Sequence, residues 1–214
     1  MDERATGIIL RTYPLTETSL IVHWLTADLG RVATVAKGAR RPKSPFRGKL
    51  DLFYECDFSF ARSRRSDLHT LREVSLRDTH AALRQELGWL QQASYCAAFI
   101  TQTTEAETPL PVLFGLMQGL LGALPQHPPR PLTVFAFEMK LLAELGLNPN
   151  LAESRLTPGA RLILEKCLTA DWPELFRLKL AEAQTVELRQ FLHGFLIYHL
   201  GKIPSGRATA GVTL

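Results

Sequence analysis

The chain has 214 residues, 46% of them hydrophobic and 21% charged, with a formal net charge of +4. These values suit one large globular domain or two small ones. They exclude a collagen, a disordered tail and a disulfide-stapled miniprotein. No uninterrupted apolar run approaches the roughly 18 residues of a membrane span. The start, Met-Asp-Glu-Arg, is charged and runs straight into strand-like sequence, unlike a secretory signal. Three widely spaced cysteines, Cys56, Cys96 and Cys167, argue for a reducing compartment without disulfides, so a cytoplasmic protein is expected.

The first 80 residues read as β. Thr6–Tyr13, Ser19–Leu25, Arg31–Ala36, Leu52–Ala61 and Leu68–Leu76 are rich in branched and aromatic residues. Breakers part them: Pro14 with Thr16-Glu17-Thr18, the turn Asp28-Leu29-Gly30, Gly38 to Gly48 with two prolines, and Arg62–Asp67. Five short strands so spaced predict a small sandwich or barrel. Beyond residue 79 the period becomes helical. Ala81–Thr104, Pro111–Leu124, Leu132–Leu145, Arg161–Leu168 and Val186–Leu200 are the predicted helices. Pro111–Leu124 is apolar on most sides and is expected to be buried. Thr157-Pro158 and Asp171-Trp172-Pro173-Glu174 have the cap-then-proline form of helix starts. Pro204–Leu214 is small and polar, so a loose tail is expected. The expected organisation is a β domain over residues 1–79, a helical domain over 80–203 and a flexible tail over 204–214, an α+β chain.

The charge is segregated. Residues 1–80 hold 14 basic and 10 acidic side chains, a net of +4, and residues 81–214 hold 11 of each. Lys37, Arg40, Arg41, Lys43, Arg47 and Lys49 form a run without an acid, and Arg62, Arg64 and Arg65 form a second cluster. A charge run is most often a solvated face. Two acid-free clusters in so short a segment point equally to nucleic acid. Chemistry of other kinds leaves no trace. There is no phosphate loop, GxGxxG, HExxH or GxSxG, and the cysteines form no CxxC pair. His23, His69, His193 and His199 suit packing or surface roles, and no carboxylate pair is placed for acid–base work. No enzyme, metal or cofactor is expected.

A five-stranded closed barrel is the oligonucleotide/oligosaccharide-binding (OB) architecture. Its ligand crosses strands 2 and 3 and the loops between strands 1–2 and 4–5. On that plan Arg62, Arg64 and Arg65 occupy the 4–5 loop. The Lys37–Lys49 run lies between strands 3 and 4, and Tyr13 stands at the 1–2 loop. Lysine and arginine there would neutralise phosphates. Tyr13, Trp24, Phe46 and Tyr54 are candidate stacking platforms, although Trp24 and Tyr54 fit a core equally well. Phe46, between Pro45 and Arg47 in a basic loop, is expected to be a platform.

The string from Thr6 to Leu50 resembles the N-terminal domain of the bacterial recombination mediator RecO. The most specific parts are Glu17-Thr18-Ser19-Leu20, Gly30-Arg31 and Lys37-Gly38-Ala39-Arg40. Phe137-Glu138 to Leu145-Gly146-Leu147 resembles that family's central helix and its exit. The resemblance implies an OB domain followed by a helical domain. It implies binding of single- and double-stranded DNA, annealing of complementary strands, and help in loading RecA in recombinational repair. It also implies two partners, RecR and the C-terminal tail of single-stranded-DNA-binding protein, and a place near the nucleoid. Lys37, Arg40 and Arg41 match the family's basic segment, and Arg31 its Gly-Arg pair. Many relatives carry a four-cysteine zinc knuckle after the Leu-Gly-Leu exit, whereas Leu147–Arg161 holds no cysteine. Either this chain belongs with relatives that lack the metal, or a segment is missing near residues 151–155. An alternative of another class is an adaptor whose basic patch takes acidic peptides.

Overall fold

A computed structural model describes residues 2–212. Its five strands are β1 (Asp2–Pro14), β2 (Leu20–Thr26), β3 (Arg31–Ala36), β4 (Glu55–Ala61) and β5 (Leu68–Asp78). They close into a barrel in the order β1-β2-β3-β5-β4. All neighbours are antiparallel except β3 and β5, whose parallel pairing closes it. Of the sandwich or barrel that the strand spacing predicts, the chain forms the barrel, in the OB arrangement. β1 serves two partners: Asp2–Ile8 pairs with β4, and Gly7–Pro14 pairs with β2. A register shift between Ile9 and Arg11 lets one strand turn between them.

Alternation supplies the barrel core. Ile9, Val22, Trp24, Val32, Phe58, Phe60, Leu71 and Val74 point inward. The Trp24 and Phe58 rings stack at 4.1 Å and 11°. The Trp24 indole N–H donates to Thr34 Oγ1 at 2.8 Å, so burying it leaves no donor unmet. β4 begins at Glu55 rather than Leu52. Phe53 takes a left-handed φ of 63°, and Tyr54 N–H closes a turn to the Asp51 carbonyl, so these residues leave the extended geometry.

Two compact units divide the chain. The first joins residues 1–81 to residues 104–118, and the second holds residues 82–103 and 119–214. The β unit thus includes a later stretch, which a single cut at residue 79 does not anticipate. That stretch is bonded to the β2–β3 turn. Leu110 N–H donates to the Ala27 carbonyl, and Glu107 N–H to the Arg31 carbonyl. Gly30, at φ 65°, allows the approach. A Cβ there would lie 1.8 Å from the Thr108 carbonyl oxygen.

The helices are α1 (Leu87–Thr103), α2 (Pro111–Ala123), α3 (Pro131–Glu144), α4 (Pro158–Thr169), α5 (Trp172–Arg177) and α6 (Glu182–Leu200). The Thr157 and Asp171 side chains accept from Ala160 N–H and Glu174 N–H, which caps α4 and α5 as their sequences predict. In the second unit α3 packs against α1, α4, α5 and α6. It is buried on nearly every side. α2 departs from the expectation of full burial. Leu113, Met117, Leu120 and Leu121 are inside, while Gly115, Gly119 and Gly122 face out. Those glycines make the segment look apolar without giving it side chains to bury.

Of the tail expected to be loose, residues 204–212 are described and are packed in place, while residues 213 and 214 lie outside the described residues. Residues 205–211 form tight turns, and Arg207 is 4% exposed. Its guanidinium grips Glu138 of α3, itself 0% exposed, at 2.7 and 3.0 Å. The Tyr95 hydroxyl of α1 donates to the same carboxylate at 2.6 Å. Gln92 adds a bond to the Ala210 carbonyl. Composition does not reveal this, because the partners lie 69 residues apart in sequence.

Two stability predictions follow from these contacts. Gly30→Ala combines a positive φ with a clash against backbone and should cost about 1–3 kcal/mol or more, read as a lower melting temperature. Arg207→Met leaves the Glu138 carboxylate buried without its cation and should cost about 3–5 kcal/mol in a urea titration.

Candidate nucleic-acid interface

The run from Lys37 to Lys49 is not an extended loop. It coils through successive tight turns, with N–H to carbonyl bonds from Ala39 to Ala36, Arg41 to Gly38, Ser44 to Arg41, Arg47 to Ser44 and Lys49 to Phe46. Phe46 anchors the coil. Its ring is 7% exposed and belongs to the barrel's buried cluster, beside partly buried Ala39 and Leu50. This overturns the expectation that Phe46 is a stacking platform. The turn bonds curl the loop back onto the barrel, and the ring becomes its apolar foot. Trp24 is likewise core, and Tyr54 is half-buried against the same cluster.

The cations stay outside. Lys37, Arg40, Arg41, Lys43 and Arg47 are exposed. Among the described residues none of them forms an ion pair. The Arg40 guanidinium donates to the Thr16 carbonyl, at 3.4 Å, and that of Arg47 to the Pro42 carbonyl, at 3.3 Å. Backbone bonds fix where this group sits. Arg40 N–H donates to the Thr18 carbonyl at 3.0 Å, and Gly38 N–H to Ser19 Oγ at 3.4 Å. The basic coil is therefore moored to the β1–β2 loop. Lys49 is half-buried and donates to the Val74 carbonyl of β5 at 3.2 Å, away from that group.

The mooring sets the coil at the loop that joins β1 to β2, and the outer face of those strands and β3 begins there. Cross-strand register sets Arg11, His23 and Ala33 in one row, and Tyr13, Ile21 and Val35 in the next. Tyr13 and His23 stack at 5.3 Å, and the Tyr13 hydroxyl lies 2.7 Å from His23 Nε2 in a hydrogen bond. The Arg11 guanidinium stands 5.4 Å from the Tyr13 ring centre. Burial holds the His23 imidazole below its ordinary pKa, and the positive charges of Arg31 and Arg11 push it further down. Arg31 is half-buried and donates to Thr104 through Nε, at 2.8 Å to Oγ1, and through a second nitrogen to the Thr104 carbonyl. Its guanidinium is committed to that segment. The sequence gives His23 a packing or surface role and does not single out Arg11, though alternation on the first strand places Arg11 and Tyr13 on one face.

The 4–5 loop divides its arginines. Arg62 is held by two carboxylates, with bonds of 2.6 and 2.9 Å to Glu3 and a further bond to Glu107. Its charge is already matched within the chain, which sets it apart from the other candidates. The Arg62 guanidinium holds the Glu3 carboxyl below its ordinary pKa. Arg64 and Arg65 are exposed and form no ion pair among the described residues. The pairing of Glu107 with Arg62 escapes sequence reading because the two lie 45 residues apart.

Burial pushes the Cys56 and Cys167 thiols up to about 12, which suits packing rather than attack. Among the described residues no group of three or more His, Cys, Asp or Glu side chains could hold a metal ion. Nor is any helix long and apolar enough to cross a membrane.

The fold and this face define an OB barrel carrying a basic coil, joined in sequence to a helical unit. Residues 1–80 match the family model for the N-terminal part of recombination protein O, and residues 84–155 match that for its C-terminal part. Proteins named DNA repair protein RecO are among the relatives. That of Anaeromyxobacter dehalogenans is 36% identical over 148 residues, covering 69% of this chain and 58% of its own length. That of Rhodopirellula baltica is 35% identical over 143 residues, 67% of this chain and 53% of its own. The Listeria monocytogenes protein is 27% identical over 213 residues, 94% of this chain and 81% of its own. The chain belongs to the RecO family. It spans little more than half the length of the first two relatives.

The His23 environment has a measurable consequence. The unfolded chain takes up a proton near the ordinary value of 6.5, and the folded chain only at lower pH. The unfolded state then binds more protons, so this stability is full above 6.5 and is lost as pH falls through the folded value. His23→Gln should flatten the fall in urea midpoint between about pH 7.5 and about pH 5.5 relative to the parent chain.

Proposed function

We propose that this chain binds DNA along the β1–β2–β3 face of its barrel and serves in recombinational repair, annealing complementary strands and helping RecA load on coated single strands. The role is binding rather than turnover. One observation carries the reading: Lys37, Arg40, Arg41, Lys43 and Arg47 are exposed without carboxylate partners among the described residues, moored to the loop that borders the Tyr13–His23 pair. Cations so placed gain little from the protein itself and much from phosphates, through counterion release. An aromatic pair held by its own hydrogen bond offers a stacking surface for unpaired bases. Annealing has a physical rationale on such a face. Basic side chains screen the repulsion between two phosphate backbones, and bound strands meet at raised local concentration. Membership of the RecO family supports double-stranded DNA as a second ligand. It also supports RecR and the C-terminal tail of single-stranded-DNA-binding protein as partners, and a place near the nucleoid.

The test is fluorescence anisotropy of a labelled single-stranded oligonucleotide across a salt series. The parent chain should show a steep negative log–log slope, with about 0.7 for each phosphate contact. Arg40→Glu with Arg41→Glu should lower that slope by about 1.4 and weaken binding at every salt concentration. Arg77→Gln, which removes a cation paired with Asp57, should leave the slope unchanged. An unchanged slope in the double variant, or a polyglutamate peptide that outcompetes the oligonucleotide, would overturn the reading in favour of a protein adaptor.

A further inference from the structure

The 4–5 loop raises a question that its composition does not answer. Residues 62–67, Arg-Ser-Arg-Arg-Ser-Asp, have no apolar side chain to bury, yet two acids, Glu3 and Glu107, are drawn to their edge. On a phosphate-binding surface a carboxylate has the wrong sign. We propose that Glu107 and His69 are positioning residues for DNA binding: they hold the backbone from which Arg64 and Arg65 project. The proposal rests on the DNA-binding reading above.

The bonds form a continuous path. His69, on β5, is 2% exposed and its ring stacks on Phe60 at 5.2 Å and 11°. Its Nδ1 accepts the Ser63 N–H at 3.2 Å, so the ring proton sits on Nε2, which donates to Glu107 at 2.7 Å. The other Glu107 oxygen accepts from Arg62. Ser63 Oγ in turn accepts the Arg65 N–H at 3.2 Å and lies 3.3 Å from Ser66 Oγ. Glu107 is itself fixed. Its N–H donates to the Arg31 carbonyl at 3.0 Å, and its φ is 56°, a left-handed geometry that a residue with a Cβ adopts only when its surroundings impose it. One buried histidine and one strained glutamate therefore brace, beside the loop's own serine bonds, a loop that has no apolar side chain to bury. Arg64 and Arg65 are then presented with less freedom to lose on binding.

Electrostatics and positioning predict opposite signs. A glutamate that merely stands near DNA repels it, so Glu107→Ala would tighten binding. A positioning glutamate, once removed, weakens it. The experiment compares Glu107→Ala, Arg64→Ala with Arg65→Ala, and the triple variant in the anisotropy salt series on the full chain. We expect Glu107→Ala to weaken binding severalfold and to lower the slope by as much as about 1.4, the value for two lost contacts. The triple variant should bind no worse than Arg64→Ala with Arg65→Ala. Amide exchange supplies a second readout: Ser63 and Arg65 should exchange about tenfold faster in Glu107→Ala. Glu107→Gln, which keeps an acceptor for Arg62 but no charge, replaces the alanine variant if that one is unfolded. Equal or tighter binding, or losses that add in the triple variant, would overturn the proposal. Failure of the DNA reading looks different: Arg40→Glu with Arg41→Glu would then leave the slope unchanged as well.

Discussion

Closure of the β-barrel around the stacked rings of Trp24 and Phe58 is the constraint on which the outer face of β1, β2 and β3 depends. A closed sheet has no free edge, so every strand residue is committed to the inside or the outside. Placing Trp24 inward, with Thr34 meeting its N–H, forces His23 outward on the same strand. The register with β1 then sets Arg11 opposite His23 and brings Tyr13 against its ring. A one-residue slip would bury charge and expose the indole. The outer surface is thus a consequence of the core rather than an independent design.

Within this unit, acids are distributed unevenly around the cations. Arg62, Arg72 and Arg77 each have a carboxylate partner, whereas the coil from Lys37 to Arg47 has none among the described residues. Clustered like charges repel and work against the compact state. The coil tolerates this because its stability comes from elsewhere, from the buried Phe46 ring and the backbone bonds to Thr18 and Ser19. The coil thus combines apolar anchoring beneath with charge above that has no carboxylate partner among the described residues.

The helical unit solves a different problem. Glu138 sits inside a helix buried on nearly every side, where a lone carboxylate would be costly. Arg207 and Tyr95 satisfy it from two directions. Burial and the adjacent carboxylate raise the Tyr95 phenol far above its ordinary value, so it remains a donor. The segment after α6 is ordered by the Arg207–Glu138 pair together with the burial of Ala210 and Val212. Lys140 works comparably at the surface of the unit, donating to the Leu168 and Ala170 carbonyls at the end of α4.

Much of this was legible in the sequence, since it depends on local rules. Period-two alternation in Cys56, Phe58 and Phe60 marked a strand, and Thr157-Pro158 marked a helix start, because each reflects the geometry of neighbouring residues. The segregation of charge into the first 80 residues was legible by counting alone. The inward turn of Phe46 was not, because it is set by turns that curl the loop back on the barrel. Nor were the pairing of Arg62 with Glu3 and Glu107, and the capture of Arg207 by Glu138. Each joins residues 45 to 69 positions apart, and no local preference reports on such distances. The sequence by itself determined the strands, the helices and the sign of the charge on the first 80 residues. Only the tertiary structure decided which cations remain free for a ligand, because that depends on which carboxylates the folded chain brings within reach.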